Sequence, residues 1–172
     1  MTALSSAAWI VHDVGLATSI GGSMFGRMAF EPALSKMNAQ QRDRIEDAAW
    51  RRFSWLNLAG HAAFAVPWII GRTMLSGAEV NGRARALVRV KDVLVGASVV
   101  TGIATIAVGR FLGRRLRDGE NTTEGYKRLE QVTAVLGQLN LLATTGIAAV
   151  TSLLAMEAGK SYRFAGSSRC LP

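Results

Sequence analysis

Histidine and amide side chains occur inside apolar stretches of this sequence, where polar groups are rare. Asn57 and His61 are four residues apart, so a helix would place them on one face. Asn140 and Gln138 interrupt another apolar stretch. Inside a membrane such side chains need a hydrogen-bond partner, and each interhelical bond contributes roughly 0.6–2 kcal/mol. These four residues are candidates for a polar site at the centre of a helical bundle, which would either join helices or bind a ligand.

A second pair of polar residues, His12 and Asp13, lies near the start of the chain. Adjacent residues of a helix point about 100° apart, so the pair forms no cluster by itself. Asp13 fits either a helix-start acid or part of an outward-facing site. The helical rise places His12 and His61 about 8–10 Å apart in depth, which is too far for two ligands of one haem iron. We therefore predict no cofactor, since the two histidines fit a haem site poorly.

The elements that position these residues are long apolar segments. A helix needs about 20 mostly apolar residues to cross a membrane, and four segments of the 172-residue chain qualify: 9–30, 53–75, 93–112 and 132–156. The continuous runs exclude a membrane β-barrel, whose strands alternate polar and apolar residues. We predict one all-α integral membrane domain, a four-transmembrane-helix bundle, with a short polar C-terminal tail at 157–172. The second helix should begin before the membrane, and Asp118-Gly119 should form a turn.

The net charge of +8 comes from Lys and Arg residues that flank the predicted spans. This distribution favours anionic lipid headgroups as partners and gives no reason to expect nucleic acid. Twelve of these basic residues lie on the side of the first and third loops, and eight lie on the other side. Because cytoplasmic loops carry the excess, we expect a bacterial cytoplasmic membrane protein with both termini outside. The single cysteine, Cys170, cannot form an intrachain disulfide.

Small residues recur at helical spacing on the first and third predicted spans. Such faces let helices approach closely in a membrane. They comprise Gly15, Ser19, Gly22 and Gly26 on the first span, and Ala97, Thr101, Thr105 and Gly109 on the third. We predict that both rows are helix-packing surfaces.

A shift of 83 residues aligns the two halves of the chain. It matches TSIGGSMFGR (18–27) with TGIATIAVGR (101–110) and LNL (56–58) with LNL (139–141). This pattern predicts a tandem repeat of two helical hairpins, related by an axis along the membrane normal. Asn57 then corresponds to Asn140, whereas His61 corresponds to Thr144.

The segment FGRMAFEPALSKM, followed by RRFSWLN, resembles poorly characterised bacterial four-span membrane families. Copper-resistance D-like membrane domains are similar in their Gly-rich first span. The resemblance covers about the first 70 residues and implies a compact four-helix membrane domain. The Met- and His-rich metal sites expected of copper handling are not evident in this sequence, so no functional residue is carried over.

Motifs for phosphate binding, zinc hydrolysis and nucleophilic catalysis are absent from the sequence. We therefore predict a non-enzymatic membrane protein that acts as an accessory or assembly subunit, bound to other membrane subunits or to itself. A second hypothesis is a small transporter or ligand-binding protein that uses the polar residues at the bundle centre. A redox or haem protein is the third hypothesis.

Overall fold

The computed structural model describes residues 3–75, 82–119 and 123–167. Within these ranges every regular element is a helix. The elements are α1 (Ala3–Phe25), a π-helical stretch (Gly26–Phe30), α2 (Glu31–Leu34), α3 (Ala39–Leu75), α4 (Gly82–Arg117) and α5 (Glu124–Ser167). The all-α prediction is therefore confirmed for the described part of the chain. The turn at Asp118-Gly119 is also confirmed, and Gly119 has the positive φ of 78° that such a turn allows glycine.

Three of the helices are long and apolar enough to cross a membrane: Arg44–Gly71, Gly82–Arg117 and Glu124–Glu157. This is the composition of an integral membrane protein. No stretch of helix α1 as described is as apolar over the length of a span, because His12 and Asp13 interrupt it and Gly, Ser and Thr are frequent along it. Helix α3 begins at Ala39, well before the predicted span, because charged residues continue the helix beyond its apolar part. Helix α5 continues to Ser167, so much of the segment predicted as a polar tail is helical.

The four long helices pair as two hairpins. Helix α1 packs mainly against α3, and α4 packs mainly against α5. The hairpins meet through two smaller interfaces of similar extent, α3 with α4 and α1 with α5. The buried core at this junction contains Leu16, Phe64, Trp68, Val95 and Ile147. Side chains from all four helices therefore contribute to one core.

Glycines bring α1 and α3 into close contact. A Cβ on Gly15 would lie 2.6 Å from the carbonyl oxygen of Gly60, and one on Gly22 would lie within the ring of Phe53. A Cβ on Gly26 would lie 2.9 Å from the ring of Trp50. Together with Ser19, which is fully buried, these residues form the first predicted row of small residues, and it faces α3.

The second predicted row of small residues faces the interior only in part. Ala97 and Gly109 are exposed, and a Cβ on Gly109 would meet no described atom within 4 Å. Thr101 and Thr105 are half-buried and bond their hydroxyls to carbonyl groups of their own helix. The buried small residues of α4 are instead Ser98 and Gly102. The prediction for Ala97 and Gly109 was wrong, because the core-facing row of α4 lies one residue further along the helix.

Burial of the described residues follows the 83-residue shift in part, with exceptions such as Gly26, which is buried, and Gly109, which is exposed. In seven pairs of positions separated by this shift, both members are buried: His12 and Val95, Gly15 and Ser98, Ser19 and Gly102, Asn57 and Asn140, Gly60 and Ala143, His61 and Thr144, and Phe64 and Ile147. The two hairpins thus present corresponding faces to the interior.

Candidate functional site

A hydrogen-bonded cluster around His61 joins three helices. The Nδ1 atom of His61 lies 2.8 Å from the carbonyl oxygen of Asn57, one turn earlier in α3. Since a carbonyl only accepts, Nδ1 carries the proton and Nε2 presents its lone pair to the bundle. Asn140 on α5 donates to Nε2 at 3.0 Å, and the Ser98 hydroxyl on α4 is 3.2 Å away. His61 therefore belongs to a network that links α3, α4 and α5.

Asn140 is the centre of this network. Its amide nitrogen lies 2.7 Å from the Ser98 carbonyl oxygen and 3.1 Å from the Thr101 hydroxyl, in addition to its bond to His61. An amide has two hydrogens, so these contacts share them. The residue is only 4% exposed. Asn140 thus ties α5 to both neighbouring helices.

Asn57 and Gln138 take no equivalent part. Asn57 is buried, but it contributes its backbone carbonyl to His61, and its side-chain Oδ1 has no hydrogen-bond partner. The repeat suggested the same helix-joining role for both asparagines, and only Asn140 has it. Gln138 is exposed on α5, so it does not belong to the cluster.

A groove of about 240 Å³ between α3 and α4 reaches the edge of His61. Apart from His61, its lining residues are apolar: Leu58, Ala62, Ala65, Val66, Val99, Gly102, Ile103 and Ile106. The ring nitrogens of His61 are bonded to Asn57, Ser98 and Asn140. The groove therefore offers a solute almost no polar contact.

A second buried cluster contains His12 and a residue that the sequence analysis did not select, Lys91. The Nδ1 atom of His12 lies 2.7 Å from the carbonyl oxygen of Phe64, so Nε2 is again the acceptor. The Nζ atom of Lys91 lies 3.1 Å from this Nε2. Lys91 is 0% exposed and His12 is 2% exposed. Asp13 is exposed, in agreement with the expectation that the two adjacent side chains point apart.

Two tryptophan rings flank the Lys91 ammonium. Its Nζ lies 4.1 Å from the ring centre of Trp68 on α3 and 5.5 Å from that of Trp9 on α1. The negative face of an indole ring attracts a cation, and the attraction is strongest where water is excluded. The indole N–H of Trp68 donates to Asp92 at 3.0 Å. Among the described residues, no carboxylate lies within ion-pair distance of Nζ.

Lys91 was counted in the sequence analysis among the flanking basic residues. That assignment was wrong, because the side chain turns into the bundle, and seven basic residues then remain on that side of the chain. The spacing of Lys91, Val95, Ser98 and Gly102 does carry a signal, since residues at i, i+4, i+7 and i+11 share one helical face. All four are buried in α4.

The two histidine clusters are separated by Phe64. Its ring centre lies 6.3 Å from that of His12 and 5.1 Å from that of His61. Each histidine already accepts a hydrogen bond at Nε2, so binding a metal there would break a buried contact. Within the described ranges, no three His, Cys, Asp or Glu residues form a group that could hold a metal ion.

Comparison of the chain with protein-family models, curated proteins and solved structures gives no match. The function must therefore be inferred from the residues and contacts described above.

Proposed function

We propose that this chain is a non-enzymatic integral membrane protein, a four-transmembrane-helix bundle that acts as an accessory or assembly subunit. The single observation that carries the proposal is the closed hydrogen-bonded cluster around His61. Both ring nitrogens bond to helix neighbours, and the adjacent groove is apolar. A polar centre whose groups bind one another is suited to holding helices together and has little capacity for binding a polar solute.

The partner would be another membrane subunit or a second copy of the chain. Cross-linking in intact native membranes, followed by mild detergent extraction of the tagged chain and mass spectrometry, tests this directly. We expect a partner chain, or further copies, at fixed stoichiometry. An unrelated tagged membrane protein expressed at the same level is the control. Recovery of the chain as an uncross-linked monomer would contradict the subunit proposal while leaving the fold unaffected.

His61→Phe distinguishes a structural histidine from a binding one. Phenylalanine keeps an aromatic ring but removes the hydrogen bonds of both ring nitrogens, so we expect a loss of about 1–2 kcal/mol in the free energy of unfolding. Partner binding by the folded fraction should persist. Thermal unfolding and the cross-linking assay measure the two properties separately. Loss of partner binding or transport with unchanged stability would instead identify His61 as part of a binding site.

Four membrane spans with both termini outside form part of the proposal. Helix α1 would be the fourth span, supported by its 23-residue length and its packing along α3. A reporter fused after Pro172 should then be active only in its extracytoplasmic form, and one fused after Asn38 only in its cytoplasmic form. The opposite pattern would reverse the orientation. The same location for both fusions would remove one of α3, α4 and α5 from the set of spans. A tag placed before Met1 tests α1, because it should lie on the opposite side of the membrane from the fusion after Asn38.

We also propose that the two hairpins arose by tandem duplication. The seven matched buried pairs support this, because packed faces are expected to persist when sequences diverge. Two arginines related by the shift also reach across to the other hairpin. Arg27 donates to the carbonyl of Ala134 on α5 at 3.1 Å, and Arg110 lies 5.0 Å from the ring centre of Trp55 on α3.

A ligand-binding or transport function is the second candidate, and the burial of Lys91 favours it. Ionisable residues inside a membrane bundle are costly and often mark functional sites. This candidate would rest on His12 and Lys91, and the His61 cluster would have a structural role. Uptake or binding that is lost on Lys91→Met but retained on His61→Phe would favour it over the subunit proposal.

A further inference from the structure

The contact between Lys91 and His12 joins the two hairpins. Lys91 belongs to α4, whereas its three neighbours, His12, Trp9 and Trp68, belong to α1 and α3. Because the His12 Nδ1–H is directed at the Phe64 carbonyl, the Nε2 lone pair is available only to Lys91. The N–H···N bond therefore runs from the Lys91 amino group to a neutral imidazole.

We propose that Lys91 and His12 form a single-proton binding site that fastens the two hairpins together. With one ionising proton, the pair consists of an ammonium donor, an imidazole acceptor and two indole faces that attract the cation. A second ionising proton would place two cations 3.1 Å apart and remove the acceptor. Loss of the proton would remove the cation that the indole rings attract. The described contacts thus fit one protonation state of the pair.

Other charged groups around the pair are few. On α1, Asp13 is exposed. On α4 the carboxylate of Asp92 accepts the Trp68 N–H, and Arg89 is exposed. On α5, Glu157 pairs with Arg83 at 3.5 Å. On the far side of Phe64, His61 is bonded to Asn57, Ser98 and Asn140.

The chain has two histidines, so nuclear magnetic resonance can follow each one. The full chain is reconstituted in lipid bilayers with nitrogen-labelled histidine and Cε-labelled lysine, and spectra are recorded across a pH series. We expect His12 to carry its proton on Nδ1. We also expect the His12 ring and the Lys91 Cε to change in the same transitions, because strongly interacting sites titrate as a pair.

Substitutions at Lys91 and at a surface lysine provide the controls. Lys91→Met should shift the His12 titration by about one pH unit or more, since coupling of that size defines such a pair. Lys127→Met, which alters an exposed lysine, should leave it unchanged. Lys91→Arg keeps the cation but cannot release its proton, so it should retain the hairpin contact and lose the coupled transition. If Lys91→Met does not fold, the same coupling is measured from the other side, as the change that His12→Gln causes in the titration of the Lys91 Cε resonance.

The proposal would be overturned if His12 carried its proton on Nε2. It would also be overturned if His12 titrated identically in the unaltered chain and in Lys91→Met. Independent transitions of His12 and Lys91 would also overturn it. None of these outcomes bears on partner binding, so the site can fail while the subunit proposal stands.

Discussion

Replacing Gly15 with alanine is expected to separate α1 from α3 and to lower the free energy of unfolding by about 1–3 kcal/mol. The added Cβ would lie 2.6 Å from the Gly60 carbonyl oxygen and 2.8 Å from the Phe64 amide nitrogen. Both atoms belong to the backbone, so no side-chain rotation can relieve the contact. One of the two helices must move, and the contacts of the neighbouring His12 would change with it.

Gly21→Ala is the matched control, because an added Cβ there meets no described atom within 4 Å. Both substitutions place alanine in the same helix, so the helix propensity gained, about 1 kcal/mol, is common to them. The difference between the two variants in reversible unfolding then measures the packing effect. Equal stability of Gly15→Ala and Gly21→Ala would show that α1 and α3 leave room for a methyl group at Gly15.

Asn140→Leu is expected to lower the free energy of unfolding by about 1–2 kcal/mol, near the upper end of values for interhelical hydrogen bonds in membranes. Leucine is similar in size, so the main loss is polar. The change removes the donor to Ser98, Thr101 and His61 and leaves the buried Ser98 carbonyl and His61 Nε2 with fewer partners.

Two other amides serve as controls for Asn140→Leu. Asn57→Leu should be less destabilising, because the Oδ1 of Asn57 has no partner to lose. Gln138→Leu should have little effect, since Gln138 is exposed. If the repeat gave Asn57 and Asn140 the same role, the two substitutions would cause equal losses of stability. Equal losses in the experiment would therefore favour that simpler view and contradict the network around Asn140.

The apolar segments were predictable from sequence because membrane solvation acts on about 20 residues at once. The glycine row of α1 was predictable because Gly15, Gly22 and Gly26 repeat at helical spacing. The start of α3 before the membrane was also predicted, and the helix begins at Ala39. The extension of α5 to Ser167 was not predicted, because polar residues there were interpreted as a tail.

The polar clusters were predicted only in part. His61 and Asn140 were identified because each interrupts an apolar segment, and the structure brings them together. Lys91 was missed because a lysine beside a run of arginines fits an ordinary membrane flank. Its burial depends on the rotation of α4 about its axis, which brings it to His12 and the two tryptophans. That rotation is set by contacts between distant segments. The local spacing of Lys91, Val95, Ser98 and Gly102 therefore places them on one helical face but does not show that this face is buried.

Helix α3 continues without interruption from the apolar core into the charged segment that begins at Ala39. From Ala39 to residue 53, where the predicted span starts, the helical rise amounts to ~21 Å. Because this projecting part is one continuous helix, it would move as a rigid lever when the rest of α3 tilts. A tilt of about 10° at the membrane surface would displace its tip by ~4 Å over that length. The ion pair between Asp47 and Arg117, 3.6 Å long, connects this lever to the end of α4. A change in the angle of α3 would therefore move its charged end by several ångströms and would also act on the end of α4 through this ion pair.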